Sequence, residues 1–362
     1  MKIIIDKNIP YIQGALDNIA EVKYLTYKEM TPEVVHDADA LIIRTRTKCN
    51  EKLLAGSKVK FIATATIGYD HIDTKYCDNN DIKWANAPGC NALSVTQYMA
   101  STLIYLAEKN GFDLRSKTIG IVGVGNVGSR VAKLCKAFGM NVLINDPPRA
   151  RTEGNTEFVS LNDVAVQADI IAFHPFLHFE GIDKTYHLAD EAFFQSLKRK
   201  PILINASRGE VVDNQALKNA INAGLVSDVV LDCWENEPNI DLELLGMVAL
   251  ATPHIAGYSA DGKANATQQS VRSISRFFKL GLNDWEPSEL PKGLDGDFKD
   301  LSFNDFFKTT YDILTESNLL KSSPETFERQ RSHYPVRREP KAYWGNLPDS
   351  FEKRFGVFFE AD

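Results

Sequence analysis

Short apolar runs alternate with amphipathic stretches along most of this chain. Runs rich in Ile, Val and Leu fall at 2–6, 40–44, 60–64 and 82–86, and their length and composition predict buried strands. After Cys90, the residues Val95, Tyr98, Met99, Leu103 and Leu106 recur at helical spacing and predict a long helix capped by Asn91. A strand at 118–122, a glycine turn and a helix at 127–138 follow. Strands are predicted again at 141–145, 169–173, 201–205, 228–232 and 248–251, and a helix near 262–280 carries Val271, Ile274 and Phe278 on one face. This alternation predicts an α/β fold with a parallel sheet covered by helices. Beyond Gly281 the pattern changes to aromatics (Trp285, Phe303, Phe306, Phe307, Tyr311, Trp344, Phe351) mixed with Pro and Arg. That stretch predicts a small third domain suited to subunit contact.

Composition narrows the function classes. At 362 residues the chain is long enough for two or three domains, and 44% hydrophobic with 25% charged residues is ordinary for a soluble globular protein. A net charge of -7 argues against nucleic acid and anionic membrane as partners, so an anionic substrate needs a local basic pocket. No apolar stretch is long enough to span a membrane, and the N-terminus reads as a strand rather than a signal peptide. Five scattered cysteines without a C-x-x-C pair argue against zinc and disulfides and fit a reducing cytoplasm.

The first chemical signal is Gly123-Val124-Gly125-Asn126-Val127-Gly128, a G-x-G-x-x-G between an apolar strand and an amphipathic helix. Its glycines allow the tight turn, the approach of a pyrophosphate and close helix packing, and the helix N-terminus offers N–H groups to the phosphates. The motif alone is weak, and a bare tight turn is its alternative. The next strand, however, ends in Asp146, near the distance expected for a ribose-binding acid. A carboxylate there accepts the ribose hydroxyls of NAD and repels the extra phosphate of NADP.

Three polar clusters follow successive strands: Asn205-Ala206-Ser207-Arg208-Gly209, Asp232 to Pro238, and Thr252-Pro253-His254-Ile255-Ala256-Gly257-Tyr258. Loops at the carboxyl ends of parallel strands gather at one crevice. Oxidation of a 2-hydroxy acid needs a base for the hydroxyl proton, a carboxylate to orient that base, and a cation for the substrate carboxylate and the C2 oxygen. His254, Glu237 and Arg208 fill these roles. Singly, each has a bland reading as a structural histidine, a helix start or a surface ion pair. Their order after consecutive strands is what favours catalysis.

These motifs, in this order over about residues 1 to 280, resemble the D-isomer-specific 2-hydroxyacid dehydrogenases. The resemblance implies a Rossmann-type doubly wound NAD domain at 95–253. It also implies a flavodoxin-like discontinuous substrate (lid) domain at 1–94 and 254–280, and a C-terminal dimerisation domain at 281–362. It implies a homodimer acting on a small phosphorylated 2-hydroxy acid. Cofactor contacts are implied at Gly123, Gly125, Asn126, Val127, Gly128, Asp146, Pro175, Ala206, Ser207, Arg208, Asp232 and Gly257. Substrate contacts are implied at Thr45, Thr66 and Tyr258, with the amides of Ile67 and Gly68 holding the substrate carboxylate. Other D-2-hydroxy acids, such as 3-phosphoglycerate or glycerate, stay open, as does an NADH-sensing scaffold of the corepressor type.

Two places need separate treatment. In Phe173-His174-Pro175-Phe176-Leu177, proline stands where the family usually has threonine. Proline has no N–H and no hydroxyl, so a cofactor contact there must use its carbonyl or apolar packing. In Arg44-Thr45-Arg46-Thr47-Lys48, an extended segment would turn the three cations to one side, either as a phosphate site or as a solvated strand end.

Overall fold

The alternation of apolar runs becomes two separate parallel sheets. The computed structural model describes residues 1–154 and 157–359. In the first sheet, β1 (Lys2–Asp6), β2 (Glu21–Leu25), β3 (Ala40–Ile43), β4 (Phe61–Thr64) and β5 (Lys83–Ala85) pair in the order β2-β1-β3-β4-β5. In the second, β6 (Thr118–Val122), β7 (Asn141–Asn145), β8 (Ile170–Phe173), β9 (Ile202–Asn205), β10 (Val229–Leu231) and β11 (Leu250–Ala251) pair in the order β11-β10-β9-β8-β6-β7. The first order is flavodoxin-like. The second is a doubly wound Rossmann-type sheet whose strand order reverses at β6, between β7 and β8. β2 escaped the sequence reading because it is an edge strand. It pairs only with β1 and exposes Glu21 and Lys23, so it carries no continuous apolar run.

Alternation along each strand feeds two cores. In the second sheet Ile119, Ile121, Ile170, Ala172 and Ile204 point into one cluster, and Val122, Ile171, Phe173, Leu203 and Leu231 into the other. Both faces are therefore covered, which is why these strands read as uninterrupted apolar runs. In the first sheet, Ile3, Ile5, Ala40 and Ile42 pack with Val271 and Ile274 of the helix Ala260–Phe278. That helix starts at Ser259, whose hydroxyl accepts the Gly262 amide. It completes a core begun by the first 90 residues, so this unit is discontinuous.

The chain divides into one unit of Met1–Asn91 with Ser259–Lys292, and a second of Ala92–Tyr258 with the tail from Gly293 onward. Three boundaries differ from those read in the sequence. The first unit ends at Asn91 rather than at 94, and it also takes up 281–292, where Leu282 and Trp285 pack in its core. Residues 254–258 belong with the second unit, because the Asp232 carboxylate takes the amides of Ile255 and Ala256. The tail also belongs there and has no core of its own. Phe306, Phe307, Phe351 and Phe355 join Val131, Leu134 and Cys135 in one cluster, with Phe355 edge-on to Phe138 at 5.3 Å.

Candidate active site

The glycine turn sits where the second sheet reverses its order. Gly123 has φ 84, and a Cβ on it would lie 2.4 Å from the backbone nitrogen of Pro175. Only glycine lets the ends of β6 and β8 meet this closely. Around Gly125, by contrast, nothing lies within 4 Å of where a side chain would begin. The helix Asn126–Ala137 starts there, so its N-terminus faces open space. Asp146 closes the turn at the end of β7, accepting the Val124 amide at 2.8 Å and the Arg149 amide at 3.0 Å. Arg149 donates to the Val124 carbonyl and pairs with Glu153. An open, N–H-rich turn with a carboxylate at its rim fits a dinucleotide that brings pyrophosphate and ribose hydroxyls. Gly123, Gly125, Asn126, Val127, Gly128, Asp146 and Pro175 thus occupy one corner of the sheet.

The other motifs lie at the ends of β9, β10 and β11. Asn205 shapes the arginine loop: its amide donates to the Arg208 carbonyl, and its oxygen accepts the Ser207 amide and hydroxyl. Gly209 then passes so close to the next loop that a Cβ would lie 2.0 Å from the Trp234 carbonyl carbon. This approach sets Ala206, Ser207 and Arg208 against the acidic loop. Arg208 donates Nη1 to the Ser207 carbonyl, which also accepts the Cys233 thiol.

Glu237 and His254 form a direct pair. Glu237 Oε1 accepts the Trp234 amide at 2.8 Å, and Oε2 lies 2.8 Å from His254 Nδ1. Burial pushes the Glu237 carboxyl up, but the hydrogen bond and charge of His254 and the Trp234 amide outweigh it, so it is held below its ordinary value. An ionised Glu237 places the proton on Nδ1 and leaves Nε2 as the accepting nitrogen. The loop behind is braced by Asp232, which is 1% exposed and also accepts the Thr252 hydroxyl at 2.7 Å. Asp232 is among the residues implied for the cofactor; its carboxylate is engaged inside the protein, on the Thr252 hydroxyl and the amides of Ile255 and Ala256. Cys233, Glu237 and His254 bring donor atoms within 4.8 Å of one another. Burial, with the charges of Asp232 and Glu237, pushes the Cys233 thiol well above its ordinary range.

In the first unit, Thr66 donates its hydroxyl to the Gly68 carbonyl, and Asn86 donates to the Ile67 carbonyl. The amides of Ile67 and Gly68 donate to no other group among the described residues. Thr45 lies in an exposed turn, not on an extended strand, since the Thr47 amide bonds back to the Arg44 carbonyl. The expected one-sided row of Arg44, Arg46 and Lys48 is therefore broken. Arg44 reaches the Asn8 carbonyl, and Arg46 lies over the Tyr27 ring. The buried Thr47, aimed at Met30, forces the bend.

A model of the D-isomer specific 2-hydroxyacid dehydrogenase NAD-binding domain matches residues 95–256. A relative from Bacteroides thetaiotaomicron, named erythronate-4-phosphate dehydrogenase, is 56% identical over 344 residues, 95% of this chain and 98% of its own. The chain belongs to the D-isomer specific 2-hydroxyacid dehydrogenase family. Among solved structures, Aquifex aeolicus D-lactate dehydrogenase with NAD and lactic acid is 26% identical, with TM-score 0.63 over 78% of this chain and 97% of its own. The NAD-bound 3-phosphoglycerate dehydrogenase of Entamoeba histolytica is 25% identical, with TM-score 0.64 over 80% of this chain and 99% of its own. The dehydrogenase uses NAD and oxidises a D-2-hydroxy acid.

The sequence marked the tail and its aromatics, Tyr311 among them, for subunit contact and gave no sign that tail residues lie beside this site. Tyr334 packs edge-on to Tyr258 at 5.7 Å, and the Arg331 guanidinium lies 5.9 Å from the Tyr258 ring. Glu316 accepts the hydroxyls of Tyr311 and Tyr334 and is pushed up to about 7, by burial first, against the lowering charge of Arg337. An acid whose folded pKa is raised binds its proton more tightly when folded. It therefore costs stability as pH rises from its ordinary 4.5 to about 7. The melting temperature of the wild type relative to Glu316→Gln is expected to fall across that window. A difference independent of pH would contradict the assignment.

Proposed function

We propose that the enzyme oxidises 4-phospho-D-erythronate at C2 to (R)-3-hydroxy-2-oxo-4-phosphooxybutanoate, a step toward pyridoxal 5'-phosphate. The observation that carries this reading is the 56% identity to a relative of that name over 95% of the chain. The lactate and phosphoglycerate enzymes cover only 78% and 80% of it. When bound, NAD supplies the hydride acceptor. His254 Nε2 takes the hydroxyl proton, Glu237 holds the ring, and Arg208 binds the substrate carboxylate and polarises the C2 oxygen. The amides of Ile67 and Gly68, with Thr45, Thr66 and Tyr258, are assigned to the substrate. Ala206, Ser207 and Gly257 are assigned to the cofactor beside the glycine turn. The test is a panel of 4-phospho-D-erythronate, 3-phosphoglycerate and glycerate followed by NADH absorbance. A higher kcat/KM on either of the last two would reject the substrate.

Asp146 underlies cofactor choice in this reading. Asp146→Ser is expected to weaken the preference for NAD over NADP about ten- to hundredfold, the scale of one or two hydrogen bonds to a charged group. Unchanged KM values for both cofactors would refute the role.

We also propose a homodimer formed through the tail, where Leu319, Val336 and Trp344 are exposed apolar residues. Deleting the tail is no test, because Phe306 and Phe307 belong to the core. Val336→Glu with Trp344→Ser is expected to give a folded monomer by light scattering. A wild-type monomer at micromolar concentration would defeat the dimer, and an unaltered dimer in the variant would defeat its location.

A further inference from the structure

The loop that carries His254 is held from two sides within its own unit. On one side the Asp232 carboxylate takes the amides of Ile255 and Ala256, at 2.8 and 3.0 Å. On the other, Arg337 from the tail donates Nη2 to the carbonyls of Ala256 at 2.6 Å and Ile255 at 3.3 Å. The amides and carbonyls of the two residues after His254 are thus gripped by an anion and a cation.

Arg337 is an unusual residue to place there. It is 5% exposed, and its Nε and Nη1 make no hydrogen bond among the described residues. Its guanidinium lies 4.3 Å from the Tyr311 ring centre and 5.7 Å from that of Tyr334. Burial works against its charge, but the faces of the Tyr311 and Tyr334 rings and the carboxylates of Glu316 and Glu339 favour it, so it stays protonated. A buried cation with few hydrogen bonds is a poor device for stability, since an apolar side chain of similar volume often serves as well. Its one hydrogen-bonding arm is spent on the catalytic loop. His254 itself has φ 56, a left-handed conformation disfavoured for a residue with a Cβ. Such a conformation persists only where its surroundings over-determine it.

We propose that Arg337 is a positioning residue: through the carbonyls of Ile255 and Ala256 it keeps the His254 ring aligned on Glu237. The inference rests on His254 being the base, as read above. It gives the tail a role in the reaction apart from subunit contact.

The test uses the full-length enzyme and the variants Arg337→Met and Arg337→Lys. Methionine matches much of the volume and removes the donor, while lysine keeps the charge without the planar fork. Arg337→Met is expected to lower kcat about tenfold or more, because a small displacement of a catalytic group is costly. NADH affinity by fluorescence should stay within about twofold, since the loss belongs to the reaction step. Millimolar guanidinium should restore part of the lost kcat, and ammonium should not. Arg337→Lys should fall between the two, and it decides the matter if the methionine variant does not fold. A readout independent of turnover is the His254 Nδ1 proton in NMR spectra. It should be protected in the wild type and broadened by exchange in Arg337→Met. Wild-type enzyme that fails to oxidise 4-phospho-D-erythronate would sink the substrate reading and leave this NMR comparison standing. A folded methionine variant with wild-type kcat and an unchanged Nδ1 signal would overturn the proposal. So would equal losses in kcat and NADH affinity without guanidinium rescue.

Discussion

Replacing His254 by alanine is expected to lower turnover about a hundredfold or more, the usual scale for a positioned acid–base group. NAD binding should survive, because the glycine turn and Asp146 form a separate corner of the second sheet. The expectation rests on the 2.8 Å pair with Glu237, which leaves Nε2 as the only ring nitrogen able to take a proton. Only the neutral imidazole can do so in oxidation, whereas reduction of the 2-oxo acid needs the protonated ring. Glu237→Gln keeps the size but removes the ionised acceptor, and should cost kcat while leaving NADH fluorescence titrations unchanged. Near-normal turnover in His254→Ala would end the assignment of the base, whatever the substrate.

Arg208→Lys is expected to produce the second large loss, about 10²- to 10³-fold in kcat/KM, the scale of removing a donor aimed at developing negative charge. Charge is retained, so a simple attraction for an anionic substrate would survive. What is lost is the flat fork that meets a carboxylate and the C2 oxygen together. Both kcat and KM should change. If only KM rises, Arg208 binds the substrate without acting on the reacting oxygen. The substitution should not unfold the protein, because the loop is shaped by Asn205 and by the approach of Gly209 to Trp234.

Much of this architecture was legible in the chain. The strand at 118–122 coincides with β6, a central strand buried on both faces, and 141–145 coincides with β7, an edge strand that still carries the apolar run Val142-Leu143-Ile144. β2 was not legible, since an edge strand with Glu21 and Lys23 exposed carries little apolar signal. The helix Ala260–Phe278 was visible by its spacing. The aromatic content of the tail was plain, yet it suggested a separate domain. Counting aromatics cannot tell a core of its own from a shared one.

By itself the sequence determined the α/β class, the glycine turn with its acid, and the order of Arg208, Glu237 and His254 after successive strands. These are local matters: periodicity follows burial, and a turn needs its own residues wherever it lies. Only the tertiary structure decided what lies at long sequence separation. It set Gly209 against Trp234, made Asp232 a brace for the 252–256 backbone, and brought Arg337 to the carbonyls beside His254. It also bent 44–48 into a turn by burying Thr47. Such contacts depend on which surfaces meet after collapse, and the spacing of residues along one strand or helix carries no record of that.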